Sequence, residues 1–315
     1  MEEGDAGEGP ERMLRTMSGL VKREEDVLFE PFTYIGKLPG KGIRPRLIAA
    51  FNEWLKVDPV IIKAVSEITQ KLHNASLMID DIEDNSRLRR GTPVAHLVFG
   101  IPQTLNTANY VYFQALSEVH ALGNPEAVQV FIREMLNLHK GQGLDIYWRD
   151  SNICPSEQDY CHMVQQKTGG LFRLSVLLMQ SFSTNKSDFI PLVNDLGLFY
   201  QVLDDLLNLQ SDEYHTNKSY CEDLTEGKYS FPIVHAISNA KDNALANILR
   251  QRPTDNDVKR FAVELMEQTG SFAYTKSFLK SVSERLKLHI QTLGENVLLG
   301  AILGELSKVL MDGES

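Results

Sequence analysis

Cysteine is scarce in this sequence, which has three cysteines, Cys154, Cys161 and Cys221, among 315 residues. They show neither the spacing of a disulfide-rich domain nor the paired spacing of a zinc site. Disulfides are rare in proteins of reducing compartments, where cysteines remain thiols. The sequence therefore predicts free thiols and a cytoplasmic location, and it argues against a fold that depends on disulfides or structural zinc.

Long apolar runs are also missing. The longest such run near the end, Val297 to Leu303, is far shorter than the roughly 20 apolar residues of a membrane-spanning helix. The first residues, MEEGDAGEGPE, are acidic and Gly-rich, which is typical of a disordered tail and unlike a signal or transit peptide. We expect a disordered tail and lead-in over residues 1–22 and no transmembrane segment.

The chain lacks an internal Gly/Ser/Pro-rich linker, a repeat period and any convincing strand-like alternation. Its 43% hydrophobic content is enough for a large core. Helical patterns separated by Pro and Gly are predicted over Glu24–Lys37 with an interruption near Pro31, over Thr104–Leu122, Asn124–Gly141 and Ser156–Phe182. We predict one all-α domain over residues 23–312.

Positive charge is in deficit, with 32 Lys and Arg against 42 Asp and Glu, a formal net charge of -10. This balance argues against general nucleic-acid binding, which requires a basic surface. An anionic ligand must therefore be bound by a local basic patch.

The first informative stretch is HNASLMIDDIEDNSRLRRG, His73 to Gly91. The apolar spacing before it is that of an amphipathic helix, which places His73, Ser76, Asp80 and Asp84 on one stripe. Carboxylates about 5.5 Å apart repel by about 3 kcal/mol at an effective dielectric constant near 20. A hard cation such as Mg2+ would relieve this repulsion; the alternative is an exposed acidic helix end.

A second polar stripe lies in LGLFYQVLDDLLNL, Leu196 to Leu209. Its members, at i, i+3, i+4 and i+7, are Gln201, Asp204, Asp205 and Asn208. The other faces of this helix are apolar, which is typical of a buried helix, and buried carboxylates need a partner or a metal ion. A solvated polar stripe is the alternative, but it would leave many apolar residues around an exposed face.

Cations are scattered along the chain at positions that suit an anion. The loop PGKGIRP carries Lys41 and Arg44, and Lys167 precedes Gly169-Gly170 in a helical segment, where a close ligand or backbone would explain the glycines. Most basic loops are merely solvated, and a lone histidine such as His139 is more often structural.

No arrangement of Ser, Cys or His for nucleophilic catalysis is recognisable. Two carboxylate faces, several cations and an apolar helical body fit a diphosphate with an apolar tail, bound through Mg2+. The chemistry predicted is metal-assisted loss of diphosphate, which leaves a carbocation in a dry cavity.

The chain resembles the trans-type polyprenyl diphosphate synthases. LMIDDIEDNSRLRRG and YQVLDDLLN are similar to the two aspartate-rich motifs of that family, and PGKGIRPR, LHNAS, QQKTGGLF and CEDLTEGKYSFP also match. HKGQGLDIYWRD and ANYVYF resemble animal-type geranylgeranyl diphosphate synthases in particular. The resemblance implies a bundle of roughly ten or more helices around a central apolar cavity and a homo-oligomer.

The resemblance also implies roles for individual residues. Three Mg2+ ions would be held by Asp80, Asp84 and Asp204, with Asp81 and Asp205 as further metal ligands and Asn208 close by. The allylic diphosphate would contact Arg89, Lys167, Thr168, Gln201, Lys218 and Lys228. Isopentenyl diphosphate would be clamped by Lys41, Arg44, His73 and Arg90. The implied catalytic set is Asp80, Asp81, Asp84, Lys167, Asp204 and Lys228, and a proton is finally lost to the departing diphosphate.

Product length is expected to depend on the depth of the cavity below the first motif. Ala75 and Ser76, one turn before Asp80, are small, so that no aromatic side chain blocks the growing chain there. The deeper floor is expected at Tyr110, Tyr112 and His139. These features favour geranylgeranyl over farnesyl diphosphate as the product, made from farnesyl diphosphate and shorter primers.

Leu203, Leu206 and Arg173 depart from the pattern of close animal relatives, which have Arg, Tyr and Gly there. A relaxed second motif is compatible with a diverged synthase that acts as a terpene synthase on an allylic diphosphate. The complete isopentenyl diphosphate clamp argues against that alternative. A non-catalytic partner subunit would lack metal aspartates or cations, and none are missing.

Overall fold

The computed structural model describes residues 25–38, 42–210 and 220–312. Its helices are α1 (25–36), α2 (Ile43–Leu55), α3 (Pro59–Glu83), α4 (Ala95–Phe99), α5 (Ile101–Ala121), α6 (Pro125–Ser151), α7 (Glu157–Ser181), α8 (Ile190–Gln210), α9 (Glu222–Glu226), α10 (Phe231–Asn239), α11 (Ala244–Arg250), α12 (Asn256–Gln268), α13 (Ser271–Leu293) and α14 (Val297–Asp312). The all-α fold predicted from the sequence is confirmed.

Helix α3 carries the first acidic motif at its C-terminal end. It starts where Asp58 accepts a hydrogen bond from the backbone N–H of Val60, with Pro59 in the first turn, where its missing N–H costs nothing. The apolar residues used to predict the helix, such as Val65, Ile68 and Leu72, are buried along one face. The stripe beside that face is therefore left to polar side chains.

Two helices differ from their predicted bounds. Helix α1 continues through Pro31 although the proline removes one backbone hydrogen bond. The helix is maintained because its apolar side chains pack around a core cluster that includes Ile35. Helix α6 does not end at Gly141 but runs on to Ser151. A Cβ atom on Gly141 would lie 2.4 Å from the backbone nitrogen of Lys167, so this glycine marks a close crossing of α6 and α7.

Helices α7 and α8 also meet backbone to backbone. A Cβ atom on Gly197 would lie 2.6 Å from the Cα of Gly169. The crossing lies one residue from Thr168 and one turn from Gln201, which are both predicted site residues. Contact between the two glycines therefore sets the distance between the polar faces of α7 and α8.

A small hairpin follows α3, contrary to the expectation of no strand. Strand β1 (Leu88–Arg89) pairs antiparallel with β2 (Thr92–Pro93). The two turn residues, Arg90 and Gly91, have φ values of 54° and 73°, as the tightest hairpin turns require. Strands of two residues are too short to give an alternating pattern, which explains why the sequence did not reveal them. The hairpin turns Arg89 back towards the end of α3.

The helices bury one large core cluster and a smaller one. The larger cluster extends through α2, α3 and α5–α8 to α14, and the smaller one joins α1, α3 and α5 around Ala75 and Met78. Leu203 and Leu206 belong to the larger core, so these two departures from the family pattern are packing residues.

Within the described residues, no helix is long and apolar enough to cross a membrane.

Arg173, the third departure, links three helices inside the bundle. Its Nε donates to Glu134 of α6 at 2.7 Å, and its Nη1 donates to Asn194 of α8 at 2.8 Å. A buried arginine is tolerated when its donors are satisfied in this way. The side chain is therefore part of the scaffold between α6, α7 and α8.

Candidate active site

The carboxylates of the first motif face cations from three other elements. Asp80 lies 3.6 Å from Lys167 of α7 and 3.4 Å from Arg89 of the hairpin. Asp84 accepts a hydrogen bond of 2.5 Å from Arg149 of α6. Burial, followed by repulsion from Asp80, raises the pKa of Asp84 to about 7. The repulsion between Asp80 and Asp84 is a contribution that a further cation would relieve.

Asp81 is buried much more deeply than its neighbour Asp80. Its side chain is 1% exposed and is bound by Arg89 through Nε and Nη2, with the shortest contact at 2.6 Å. Burial alone would lower the pKa of Arg89, but pairing with Asp81 outweighs it and raises that pKa. Asp81 thus holds the Arg89 side chain in place, and both carboxylate oxygens of Asp81 accept hydrogen bonds from Arg89.

Lys167 is the cation between the two acidic motifs. It donates to Asp145 of α6 at 2.7 Å and lies close to Asp80. Burial would lower the pKa of Lys167, but the charges of Asp145, Asp80 and Asp84 raise it above its ordinary value. The ammonium group is therefore kept charged inside the site.

A chain of hydrogen bonds runs along the second motif. Thr168, next to Lys167, donates to Gln201 at 2.7 Å, and Gln201 donates to Asp205 at 2.8 Å. Lys228 also donates to Asp205, at 3.0 Å, and lies 3.6 Å from Asp223. Adjacent residues of α7 thus contact the first motif on α3 and the second motif on α8.

Asp205 differs from the metal ligand expected from the sequence. It is 0% exposed, and its Oδ2 accepts hydrogen bonds from the Tyr160 hydroxyl and from the backbone N–H of Phe231. Its Oδ1 accepts from Gln201 and Lys228. Because each carboxylate oxygen has about two acceptor positions, the protein already fills both oxygens. Asp205 is therefore a buried anchor for its neighbours.

The other members of the second motif divide in the same way. Asn208 is buried and accepts a hydrogen bond of 3.2 Å from the backbone N–H of Asp223. Asp204, by contrast, is only half-buried. Asp204 is thus the more exposed carboxylate of the second motif.

Arg44 and His73 form a second basic area. The guanidinium of Arg44 lies 5.6 Å from the centre of the Phe172 ring, and its Nε is buried without a hydrogen-bond partner among the described residues. Burial lowers the pKa of Arg44 to about 10. Burial, and then the charges of Arg44, Arg89 and Arg90, lower the pKa of His73 to about 2. His73 is thus a neutral ring among three cations, which is a suitable environment for a second anion.

Two predicted cations, Lys41 and Lys218, lie outside the described residues. Arg90 is at the hairpin turn and donates to the backbone oxygen of Leu38 at 2.8 Å. Leu38, which follows α1, is thus hydrogen-bonded to the hairpin that carries Arg89.

The residues predicted to control product length are only partly brought together. Ala75 is fully buried, and the Ser76 hydroxyl donates to the backbone oxygen of His73 at 2.8 Å. The rings of Tyr112 and His139 meet edge to face at 5.7 Å. Tyr110 is 37% exposed and lies against Phe29 of α1, and His139 is exposed as well.

Among the described residues, no group of three or more His, Cys, Asp or Glu side chains is arranged to hold a metal ion. The donors presented by the two motifs, Asp80, Asp84 and Asp204, are oxygens, which is the donor type that Mg2+ prefers. The residues present therefore fit Mg2+.

Four polar residues of the site were missed by sequence reasoning. Tyr160 is buried in α7, and the other three are Gln142, Asp145 and Arg149 of α6. Gln142, Asp145 and Arg149 stand at i, i+3 and i+7, the same signal that revealed the polar face of α8. The signal was overlooked because α6 was predicted to end at Gly141.

Comparison with known proteins identifies similar chains. Residues 25–266 match the family model described as polyprenyl synthetase. A geranylgeranyl pyrophosphate synthase of Dictyostelium discoideum is 51% identical over 280 residues, which is 89% of this chain and 92% of that protein. A geranylgeranyl pyrophosphate synthase of Mucor circinelloides f. lusitanicus is 51% identical over 276 residues, 87% of this chain and 91% of that protein.

Replacing Tyr160 by Phe tests the buried anchor. Burial and Asp205 raise the pKa of Tyr160 well above its usual value, so the hydroxyl keeps its proton and donates it. We expect Tyr160→Phe to lower the free energy of unfolding in urea by about 1.5–3 kcal/mol, the range for a hydrogen bond to a charged group. The control is Tyr274→Phe, because the exposed Tyr274 donates at 2.8 Å to Glu157. Equal losses in both variants would contradict the special role of Asp205.

Proposed function

Because the chain belongs to the polyprenyl synthetase family, we propose that it is a prenyltransferase that joins isopentenyl diphosphate to an allylic diphosphate and releases geranylgeranyl diphosphate. The structural observation that carries this proposal is the position of Lys167 and Thr168. Lys167 lies 3.6 Å from Asp80 on α3, and Thr168 is bonded to Gln201 on α8 at 2.7 Å. These adjacent residues of α7 thus connect the acidic faces of α3 and α8, and a diphosphate would bind between the two faces.

We assign the metal ions to Asp80, Asp84 and Asp204 and exclude Asp81 and Asp205 from direct coordination. The support is that Arg89 binds Asp81 and four protein donors fill Asp205. When bound, Mg2+ would neutralise the charge that develops on the diphosphate as its bond to the allylic carbon breaks. The number of ions, three, is the family expectation.

The protein's own cations would complete the binding of the allylic diphosphate. Lys167, Lys228 and Arg89 are all held by buried or half-buried carboxylates, so they are fixed before the substrate arrives. A preorganised cation stabilises the leaving diphosphate without a reorganisation cost. Thr168 and Gln201 would orient the same group by hydrogen bonds, and Lys218 keeps its predicted role here.

Isopentenyl diphosphate would bind beside it, at Arg44, His73, Arg90 and Lys41. The buried Nε of Arg44, which has no partner among the described residues, supports an anion at this place. Neutral His73 can donate a hydrogen bond without adding charge. The isopentenyl double bond would then attack the allylic carbocation, and a proton would pass to the released diphosphate. The surrounding apolar side chains exclude water from the cation.

We propose that the product chain grows past Ala75 and Ser76 towards Tyr112 and His139. The Tyr112–His139 ring contact and the small side chains above it support this route. Tyr110 is less suited to the floor, since its ring lies against α1.

We also propose a cytoplasmic homo-oligomer. The support is an apolar area on adjoining helices with Leu105 and Phe113 on α5 and Ile132 and Leu136 on α6, all exposed. The three cysteines are unpaired thiols, as a reducing compartment favours.

Native sizing of the cytosolic fraction should show the chain at the mass of a dimer or more. Replacing Phe113 and Leu136 by Asp should shift it to the monomer, and a wild-type monomer would contradict the assembly.

Product analysis tests the reaction. Purified protein with Mg2+, farnesyl diphosphate and labelled isopentenyl diphosphate should yield labelled geranylgeranyl diphosphate. Chelation of the metal with EDTA should abolish the product. A reaction without isopentenyl diphosphate should give no hydrocarbon; a volatile terpene in that reaction, without elongation in the complete one, would show a lyase instead.

Replacing Ser76 by Phe tests the product route. The ring would narrow the passage one turn before Asp80, so the main product should shift from geranylgeranyl to farnesyl diphosphate when the primer is geranyl diphosphate. The matched control is Ser66→Phe, which adds the same ring to α3 beside the open groove between α2 and α3. An unchanged product in a folded Ser76→Phe protein would refute the route.

A further inference from the structure

Arg149 connects α6 to the first acidic motif, and every nitrogen of its guanidinium is hydrogen-bonded. The side chain is 8% exposed. Nε donates to Asp150 Oδ1 at 3.0 Å, Nη1 donates to Asp84 Oδ1 at 2.5 Å, and Nη2 donates to the backbone oxygen of Glu83 at 3.0 Å. A planar guanidinium with three acceptors in different directions is fixed in both position and rotation.

These contacts control the end of α3. Asp84 is the C-cap residue of that helix, and Glu83 is its last residue, whose backbone oxygen has no partner within the helix. Arg149 binds this oxygen and places a positive charge at the negative end of the helix dipole. One side chain thus holds the backbone and the carboxylate of the same turn.

Arg149 also distinguishes the two oxygens of Asp84. Oδ1 is bound to Nη1, whereas Oδ2 makes no hydrogen bond within the described part of the chain. Since Mg2+ is usually bound through one or two carboxylates together with substrate phosphates, the arrangement would leave one defined oxygen of Asp84 for the ion. A carboxylate that was free to rotate would have to lose that freedom on binding.

Arg149 is itself held from the other side. The Asp150 Oδ1 that accepts from Arg149 also accepts from Arg252 Nη2 at 2.7 Å. Arg252 follows α11 and packs on Gly227, where a Cβ atom would lie 3.2 Å from Arg252 Cγ. Two arginines and two carboxylates thus form a cluster without net charge between α3, α6 and the segment that precedes Lys228.

We propose that Arg149 is a positioning residue that sets the affinity of the first acidic motif for Mg2+, by holding Oδ1 of Asp84 and leaving Oδ2 to the ion. The inference rests on the proposed function, since the ion is the one that accompanies the diphosphate. It assigns to α6 a role in metal binding although α6 supplies none of the proposed metal ligands.

A purely structural role would have a different signature. If Arg149 only capped α3, its replacement would lower the unfolding temperature without changing the Mg2+ concentration that the site needs. The two quantities can be measured together, because a ligand that binds the folded state raises its unfolding temperature.

The experiment follows the unfolding temperature at a fixed concentration of inorganic diphosphate while Mg2+ is raised. We expect Arg149→Gln to increase the Mg2+ concentration for half-maximal stabilisation by about 10-fold or more, as is typical when a partner of a metal ligand is lost. Arg149→Lys, which keeps the charge but loses the fork, should lie between wild type and Arg149→Gln. It also carries the test if Arg149→Gln does not fold.

The matched control is Arg252→Gln, which removes an arginine of the same cluster that does not touch Asp84. Its pair with Asp150 is about half-exposed, so the Mg2+ midpoint should stay within about twofold of wild type. Unchanged midpoints in both Arg149 variants would overturn the inference while the proposed function stands. Failure of wild type to be stabilised by Mg2+ and diphosphate would instead contradict the proposed function and this inference with it.

Discussion

Compensation of buried negative charge at the end of α3 is the constraint on which the site depends. Four acidic residues stand within five positions there, at Asp80, Asp81, Glu83 and Asp84. Buried carboxylates are unfavourable unless they are paired. The partners come from the hairpin, α6 and α7, so these elements must dock on α3 together. The cluster that binds substrate and metal thereby also specifies how the surrounding helices are arranged.

The sequence predicted the two acidic helices because polar residues on an apolar helix stand out by their spacing. The helical spacing separated Asp80 from Asp81, but it placed Asp204 and Asp205 on the same polar stripe. Neighbours on a helix point about 100° apart, so Asp80 and Asp204 face the site while Asp81 and Asp205 face inward. In the second pair the inward member became identifiable only when its partners were known, since Tyr160 is 45 residues from Asp205.

Other features depended on contacts that no local pattern reveals. Glycine is common at helix ends, yet Gly141 lies in the middle of α6, where it permits the close approach of α7. Because α6 was predicted to end at Gly141, Asp145 and Arg149, which follow this glycine on α6, were not recognised as site residues. The tertiary contact outweighed the low helix propensity of glycine. The family resemblance assigned Arg44 and His73 to one clamp, but the neutral state of His73 follows from burial among arginines, which only the structure supplies.

The glycine crossings of α6 with α7 and of α7 with α8 have a consequence for how such a protein can diverge. Where backbones touch, the separation of two helices is set by atomic radii and not by the rotamer of any side chain. Changes in the side chains along the proposed product route can therefore accumulate without shifting Lys167 relative to Gln201. Ionisation of the substrate and the length of the product become separately adjustable traits, and a lineage could alter the second while the first remains intact.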